Sequence, residues 1–376
     1  MKKNMKILAF SREVGGAAAI APVCRAILKE EWDLLLLSKD KGLEFFSKQG
    51  LDCVNFPSFG DEHLNEVIGK KLRCLPDIVF TSATSLPWLD MTERYLWRWG
   101  QEKGITTVGL LDQWQNYALR FSGCGADEKL TYLPDYIFAM DKLAKNGMAV
   151  VGIPEQRIVI TGQPAFDRIK EEHKIFSLQT DKIKDRLNIP HNLKIVMFVA
   201  ESLKKDFGDS LGYDEQFTLQ FLGDTLNDIC TQDKGCDVYF IVKLHPENVY
   251  EEFDWIMSRW PFLKKRIIGK ELNPCEAVEI SDLVVGMSST LLIEAILAGK
   301  IVVSLQINSR VDSQLVATKV GAIPFIQSRG EGKRVLRSLL CDKAYKKTYM
   351  QRQSKWEIKK DSTLNCVSML KRIMAL

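Results

Sequence analysis

Val238-Tyr239-Phe240-Ile241-Val242-Lys243-Leu244 is an apolar run that passes directly into His245-Pro246-Glu247-Asn248. Such a run reads as a strand buried on both faces, as in a parallel sheet covered by helices. It delivers a histidine to the carboxyl end of the strand, and the proline fixes the exit. Downstream, Leu283-Val284-Val285-Gly286 leads through Met287-Ser288-Ser289-Thr290 into Leu291-Leu292-Ile293-Glu294-Ala295-Ile296-Leu297-Ala298. That order is strand, hydroxyl-rich turn and helix, and Gly299 ends the helix before another strand at 301–305.

Outward from these two runs the same alternation recurs. In the second half strands are expected at 194–200, 237–244, 266–268, 283–286 and 301–305, with helices between them. In the first half they are expected at 6–10, 32–37, 78–81, 106–111, 136–140 and 157–161, with Gly15-Gly16 opening a helix at 17–29. The chain therefore reads as α/β, with two Rossmann-like domains facing a cleft. Residues 1–165 form the first domain, 166–192 a charged connection, and 193–332 the second domain. Residues 333–376 form terminal helices that can cross back to the first domain.

Composition narrows the class of function. The chain has 376 residues, 46% of them apolar, and its 52 basic and 48 acidic side chains leave a net charge of only +4. That balance gives no footprint for nucleic acid. The nine cysteines show no C-x-x-C pair and read as reduced thiols. The four histidines (His63, His173, His191, His245) lack metal-ligand spacing. Neither an export signal nor an apolar run of membrane-spanning length is read, so the expected location is cytoplasmic, with peripheral contact at an inner membrane left open.

In an open parallel sheet, ligands bind beyond the carboxyl ends of the strands. His245 can donate to a phosphate oxygen there, with Pro246 shaping the exit and Lys243 as a further cation. Ser288, Ser289 and Thr290 bring hydroxyls and amide groups to a helix start, which favours an anion. A plain helix cap explains one such residue but does not require three. Glu294, one turn into that helix, can accept ribose hydroxyls, and Glu201 after the 194–200 strand can touch the donor. In the first half, Gly15 and Gly16 permit close approach of a ligand to the backbone. Asp112, after the 106–111 strand, and Glu13, in the loop after the first strand, are candidate general bases; a structural acid is the plain alternative for each. The aromatic segment 87–99, with Arg94 and Arg98 one helical turn apart, reads as a helix packed on its sheet, with an acceptor or membrane surface as the rival.

Together, Lys243-Leu244-His245-Pro246 and Ser288-Ser289-Thr290-Leu291-Leu292-Ile293-Glu294-Ala295 resemble the donor half of GT-B glycosyltransferases. The resemblance is to bacterial capsule and lipopolysaccharide enzymes of the sialyltransferase-like and Kdo-transferase-like kinds and to teichoic acid glycerophosphate polymerases. It implies a CMP-sugar donor, with His245, Ser288 and Ser289 on its phosphate, ribose or base contacts near Glu294, and a glycan or lipid-linked acceptor. Gly162-Gln163-Pro164-Ala165-Phe166-Asp167 is similar to the stretch that closes the first domain of such chains. The absence of a D-x-D motif leads to an expectation of no divalent metal and no other cofactor. UDP-sugar transferases and UDP-N-acetylglucosamine 2-epimerases share the fold and stand as the alternative, and a nucleotide-binding scaffold without turnover is the rival of another class.

Overall fold

The computed structural model describes residues 4–233, 236–356 and 358–375. The chain divides into two compact units, Met1–Arg168 with Ile358–Leu376, and Ile169–Glu357. Each is a parallel sheet covered by helices.

The first unit holds a seven-stranded sheet in the order β3-β2-β1-β4-β5-β6-β7. Its strands are β1 (Lys6–Ser11), β2 (Asp33–Ser38), β3 (Val54–Asn55), β4 (Ile78–Ser82), β5 (Thr106–Leu110), β6 (Tyr136–Ala139) and β7 (Ile158–Ile160). Alternate residues of β1 enter different cores. Ile7 and Ala9 pack with Ile20, Cys24 and Ile27 of helix Val14–Lys29, while Leu8 and Phe10 pack with Leu64, Ile68, Trp97 and Trp99. Strict alternation of side chains, with apolar residues on both faces, accounts for the unbroken hydrophobic strands.

Helix Ser362–Ile373 completes the first of these cores with Cys366, Val367, Leu370 and Ile373. Its entry is fixed at Gly162, whose φ is +98° and where a Cβ would stand 2.8 Å from the Ser362 Cβ. Asp167 accepts the Thr363 amide at 2.7 Å, close to the start of that helix.

The second unit holds a six-stranded sheet, β10-β9-β8-β11-β12-β13. These strands are β8 (Lys194–Val199), β9 (Val238–Lys243), β10 (Lys264–Ile268), β11 (Leu283–Gly286), β12 (Ile301–Leu305) and β13 (Phe325–Ile326). Residues 166–192, expected as a charged connection, carry most of helix Pro164–Ser177 and all of helix Thr180–Arg186. The edge strands β3 and β13 were not expected, since two residues are too short to show a period.

One expectation is corrected, and one rival reading fails. Cys236 and Cys341, read as free thiols, are joined as a disulfide with their Cα atoms 6.1 Å apart; a sequence separation of 105 residues left nothing local to suggest the pair. The rival surface reading of segment 87–99 also fails for most of its residues. Arg94, Trp97 and Trp99 are buried, and Arg98, though exposed, stacks on Tyr132 at 4.4 Å; Trp88, Leu89 and Tyr95 are the exposed apolar and aromatic residues. Arg94 instead donates to the carbonyls of Ser122, Thr84 and Leu119, satisfying groups that a buried loop cannot pair by itself.

Candidate functional sites in the two units

In each sheet the strand order reverses once, between β1 and β4 in the first unit and between β8 and β11 in the second. Ligands of open α/β sheets bind at such a reversal, outside the carboxyl ends of the strands. At both reversals a buried glutamate binds a serine.

In the second unit the glutamate is Glu201, just after β8. Its Oε1 accepts the amides of Met287 and Ser288 at 3.1 and 2.8 Å, and its Oε2 accepts the Ser288 hydroxyl at 2.8 Å. The turn after β11 is held from its other side too. The Met287 carbonyl accepts Ser304 Oγ at 2.6 Å and Gln306 Nε2 at 3.0 Å, and Tyr213 donates to the Gln306 side-chain oxygen at 3.1 Å. Burial raises the Glu201 carboxyl above its ordinary range, and its hydrogen bonds to the turn pull the other way.

The next residue, Ser202, lies 3.1 Å from Nδ1 of His245. The Glu247 amide also points at Nδ1, at 3.3 Å. An amide can only donate, so Nδ1 is an acceptor and neutral His245 carries its proton on Nε2. The Asn248 side chain in turn receives the His245 amide at 2.9 Å. Consecutive residues after β8 thus hold the two decisive motifs, one each.

The hydroxyl run divides into three roles. Ser288 is committed to Glu201, Ser289 caps helix Thr290–Leu297 by accepting the Leu291 amide at 3.2 Å, and Thr290 is exposed. Glu294 is half-buried on the same helix and Pro246 is exposed. The expected convergence of free amides is therefore narrower than the sequence implied, because the buried carboxylate takes donors that a ligand was expected to use. Glu201 itself, expected to touch the donor, supports the turn in this structure. Lys243 is buried, donates to the Gly269 carbonyl at 2.5 Å, and its basicity is lowered by burial.

In the first unit, Ser82 at the end of β4 meets Ser11 at the end of β1, hydroxyl to hydroxyl, at 2.8 Å, and also bonds the Glu93 carboxyl. Glu93 Oε2 accepts the Thr84 amide at 2.5 Å. Glu93 is 1% exposed, and burial pushes its carboxyl up to about 7 against the pull of the Ser82 and Thr84 bonds. Gly16 is what lets the chain in: a Cβ there would lie 2.6 Å from Ser82 Cβ and 2.8 Å from Ser11 Oγ. At Gly15 a Cβ would lie 2.8 Å from Asp112 Oδ2. Both glycines begin helix Val14–Lys29, and the groups that approach them here are the side chains of Asp112, Ser82 and Ser11.

Asp112 follows β5. Arg120 Nη1 lies 2.8 Å from its Oδ1, and Gln163 donates to its carbonyl at 2.9 Å. Arg120 also donates to the carbonyls of Ala83 and Gln115, which binds the ends of β4 and β5 together. Glu13 stands at the start of helix Val14–Lys29, half-exposed, with Arg12 3.8 Å away. Trp114 donates to Asp141 at 2.9 Å and stacks on Phe166. Asp112, Glu13, Gly15 and Gly16 thus lie around the carboxyl ends of β1, β4 and β5. His245, Pro246, Ser288, Ser289, Thr290 and Glu294 belong to the ends of β9 and β11 and the helix after β11.

Sequence reasoning missed Ser11, Ser82, Glu93 and Arg120 in the first unit, and Ser304 and Gln306 in the second. One usable signal was present: Ser11, Ser82 and Ser304 are polar residues at or near the carboxyl ends of otherwise apolar strands.

No family model matches the chain, and no curated protein matches its sequence. Among solved structures, the UDP-GlcNAc 2-epimerase from Methanocaldococcus jannaschii superposes with a TM-score of 0.66 at 16% identity, covering 98% of this chain and 100% of its own. The UDP-GlcNAc 2-epimerase from Neisseria meningitidis bound to UDP-GlcNAc gives 0.66 at 15%, covering 98% and 100%. A glycosyltransferase from Rickettsia africae gives 0.66 at 13%, covering 99% of both chains. The fold is the two-sheet α/β fold of these sugar-nucleotide epimerases and glycosyltransferases. Among the described residues, no helix is long and apolar enough to cross a membrane.

Proposed function

We propose that the chain is an enzyme of sugar-nucleotide metabolism that takes a uridine-nucleotide sugar, acting as a C2 epimerase or as a glycosyltransferase. The observation that carries the reading is the pairing of Glu201 with the Ser288 turn and of neighbouring Ser202 with His245 at one strand reversal. That arrangement leaves the Nε2–H of His245 and the exposed Thr290, at the positive end of its helix, for the phosphates. Glu294, on the same helix, is assigned to the ribose. Asp112 is assigned the acid–base step, with Glu13 as the second carboxylate, each within the first unit. No divalent metal is assigned to the reaction, since His245 and the helix end can meet leaving-group charge.

Uridine is favoured over the cytidine nucleotide of the motif resemblance because the Neisseria structure carries UDP-GlcNAc. The transferase reading is kept because the Rickettsia enzyme is matched over 99% of both chains. Calorimetry with UDP, CMP and GDP, with magnesium and with a chelator, tests the nucleotide. NMR of UDP-GlcNAc incubated alone, and then with glycan acceptors, separates the two reactions. Uridine binding that needs no metal is expected; binding of CMP alone, or of no nucleotide, would overturn the proposal.

A further inference from the structure

The hydroxyl-rich turn after β11 does not hold its shape by itself. Met287 is gripped at its amide by Glu201 and at its carbonyl by Ser304 and Gln306, and Ser288 is gripped at both amide and hydroxyl by Glu201. Glu201 is 8% exposed, comes from a different strand, and no salt bridge to it is present among the described residues. A buried carboxyl in such a place must be satisfied by donors, and here those donors belong to the turn. The chain then continues into Ser202, whose hydroxyl meets His245.

We propose that Glu201 is a positioning residue for phosphate recognition: it fixes the Met287–Ser288 turn by hydrogen bonding, so that Thr290 and the Ser202-held His245 are presented together to a nucleotide diphosphate. The inference rests on the nucleotide-binding reading above. Its distinctive content is that hydrogen-bond geometry at Glu201, and not its charge, sets affinity. A glutamine at this position can accept the two amides through its carbonyl oxygen and donate to the Ser288 hydroxyl through its amide nitrogen. An alanine can do neither, and it leaves the Met287 and Ser288 amides without their acceptor.

The test compares wild type, Glu201→Gln and Glu201→Ala by UDP calorimetry and by amide hydrogen exchange without ligand, with circular dichroism to show that each is folded. Glu201→Gln is expected to bind UDP within about threefold of wild type. Glu201→Ala is expected to bind about tenfold more weakly or worse, from the loss of one to two net hydrogen bonds, with faster exchange confined to residues 287–290. A folded Glu201→Ala that binds like wild type overturns the proposal, and so does a Glu201→Gln that loses as much affinity as Glu201→Ala. Should wild type bind no nucleotide, the functional reading fails on that result alone. The exchange data then decide the positioning role separately: unchanged exchange in Glu201→Ala refutes it, and accelerated exchange at the turn supports it.

Discussion

Arg120 holds one carboxylate oxygen of Asp112, Nη1 to Oδ1 at 2.8 Å, in a pair whose side chains are only 4% and 12% exposed. The other oxygen lies beside Gly15, where an added Cβ would stand 2.8 Å away. A carboxylate tied at one oxygen is oriented at the other, which is the geometry a proton-transfer group requires. Asp112→Asn is expected to lower turnover of a UDP-sugar by roughly 10²- to 10⁴-fold, the usual range for loss of a general acid or base. Its UDP affinity should stay within about twofold of wild type, since phosphate recognition is assigned to the other sheet. Initial rates and calorimetry measure the two quantities, and a parallel loss of both would make Asp112 a structural residue.

His245 should respond in graded fashion. Ser202→Ala removes one of two groups that face Nδ1 and leaves the Glu247 amide in place. A loss of about threefold to tenfold in UDP affinity is expected, the size of one net hydrogen bond. His245→Ala, which removes the donor itself, should lose more. Equal losses in the two variants would mean that the ring has no direct part in binding.

Glu93 makes stability depend on pH. Its carboxyl is pushed up to about 7 from an ordinary 4.5 by burial. The folded state therefore binds this proton more tightly than the unfolded chain does. The contribution is complete below 4.5 and is lost as pH rises through about 7, so stability should fall from pH 5 to pH 8. By linkage this is worth up to about 3 kcal/mol. Glu93→Gln, which keeps an acceptor for Thr84 and a donor for Ser82, should flatten that part of the profile. Urea unfolding at pH 5, 6.5 and 8 provides the check, and an unchanged slope in the variant would exclude Glu93 as the source.

Much of the scaffold was legible because buried parallel strands leave continuous apolar runs, as at Leu34 to Leu37 and Val284-Val285, and helices between them carry their own periods. Two-residue strands at Val54 and Phe325 carry no period and were not legible. The second-half motifs were found through His245 and the Ser288–Thr290 run. The sequence could not reveal that Glu201, some ninety positions earlier, takes the amides of that turn, because the pairing exists only once β8 and β11 lie side by side. Segment 87–99 was read as packed on its sheet, but what Arg94 does there was not legible: its guanidinium closes three backbone carbonyls that come together only in the folded unit.

Helix Ser362–Ile373 should matter to the first unit as much as any of its earlier helices. Leu370 is fully buried in the core that contains Ile20 and Cys24. Leu370→Ala is expected to cost about 2–5 kcal/mol, as for other fully buried leucines. Hydrogen exchange should show the loosening in strands β1, β4 and β5 and spare β8, β9 and β11. Uniform loosening of both sheets would show instead that the units unfold as one.

The return of that helix also sets an order of events during synthesis. All seven strands of the first sheet leave the ribosome before the second unit begins, yet the core they share with the helix at Val14–Lys29 waits for residues 362–373 to be completed. The second unit has its whole complement of strands earlier than the first unit has its last helix, so the half translated first is the half finished last. Nascent chains arrested after residue 356, and extended enough to clear the tunnel, should therefore yield a protease-resistant second unit beside a first unit that is still cut. For that interval the part of this core that residues 362–373 later cover is left open to water.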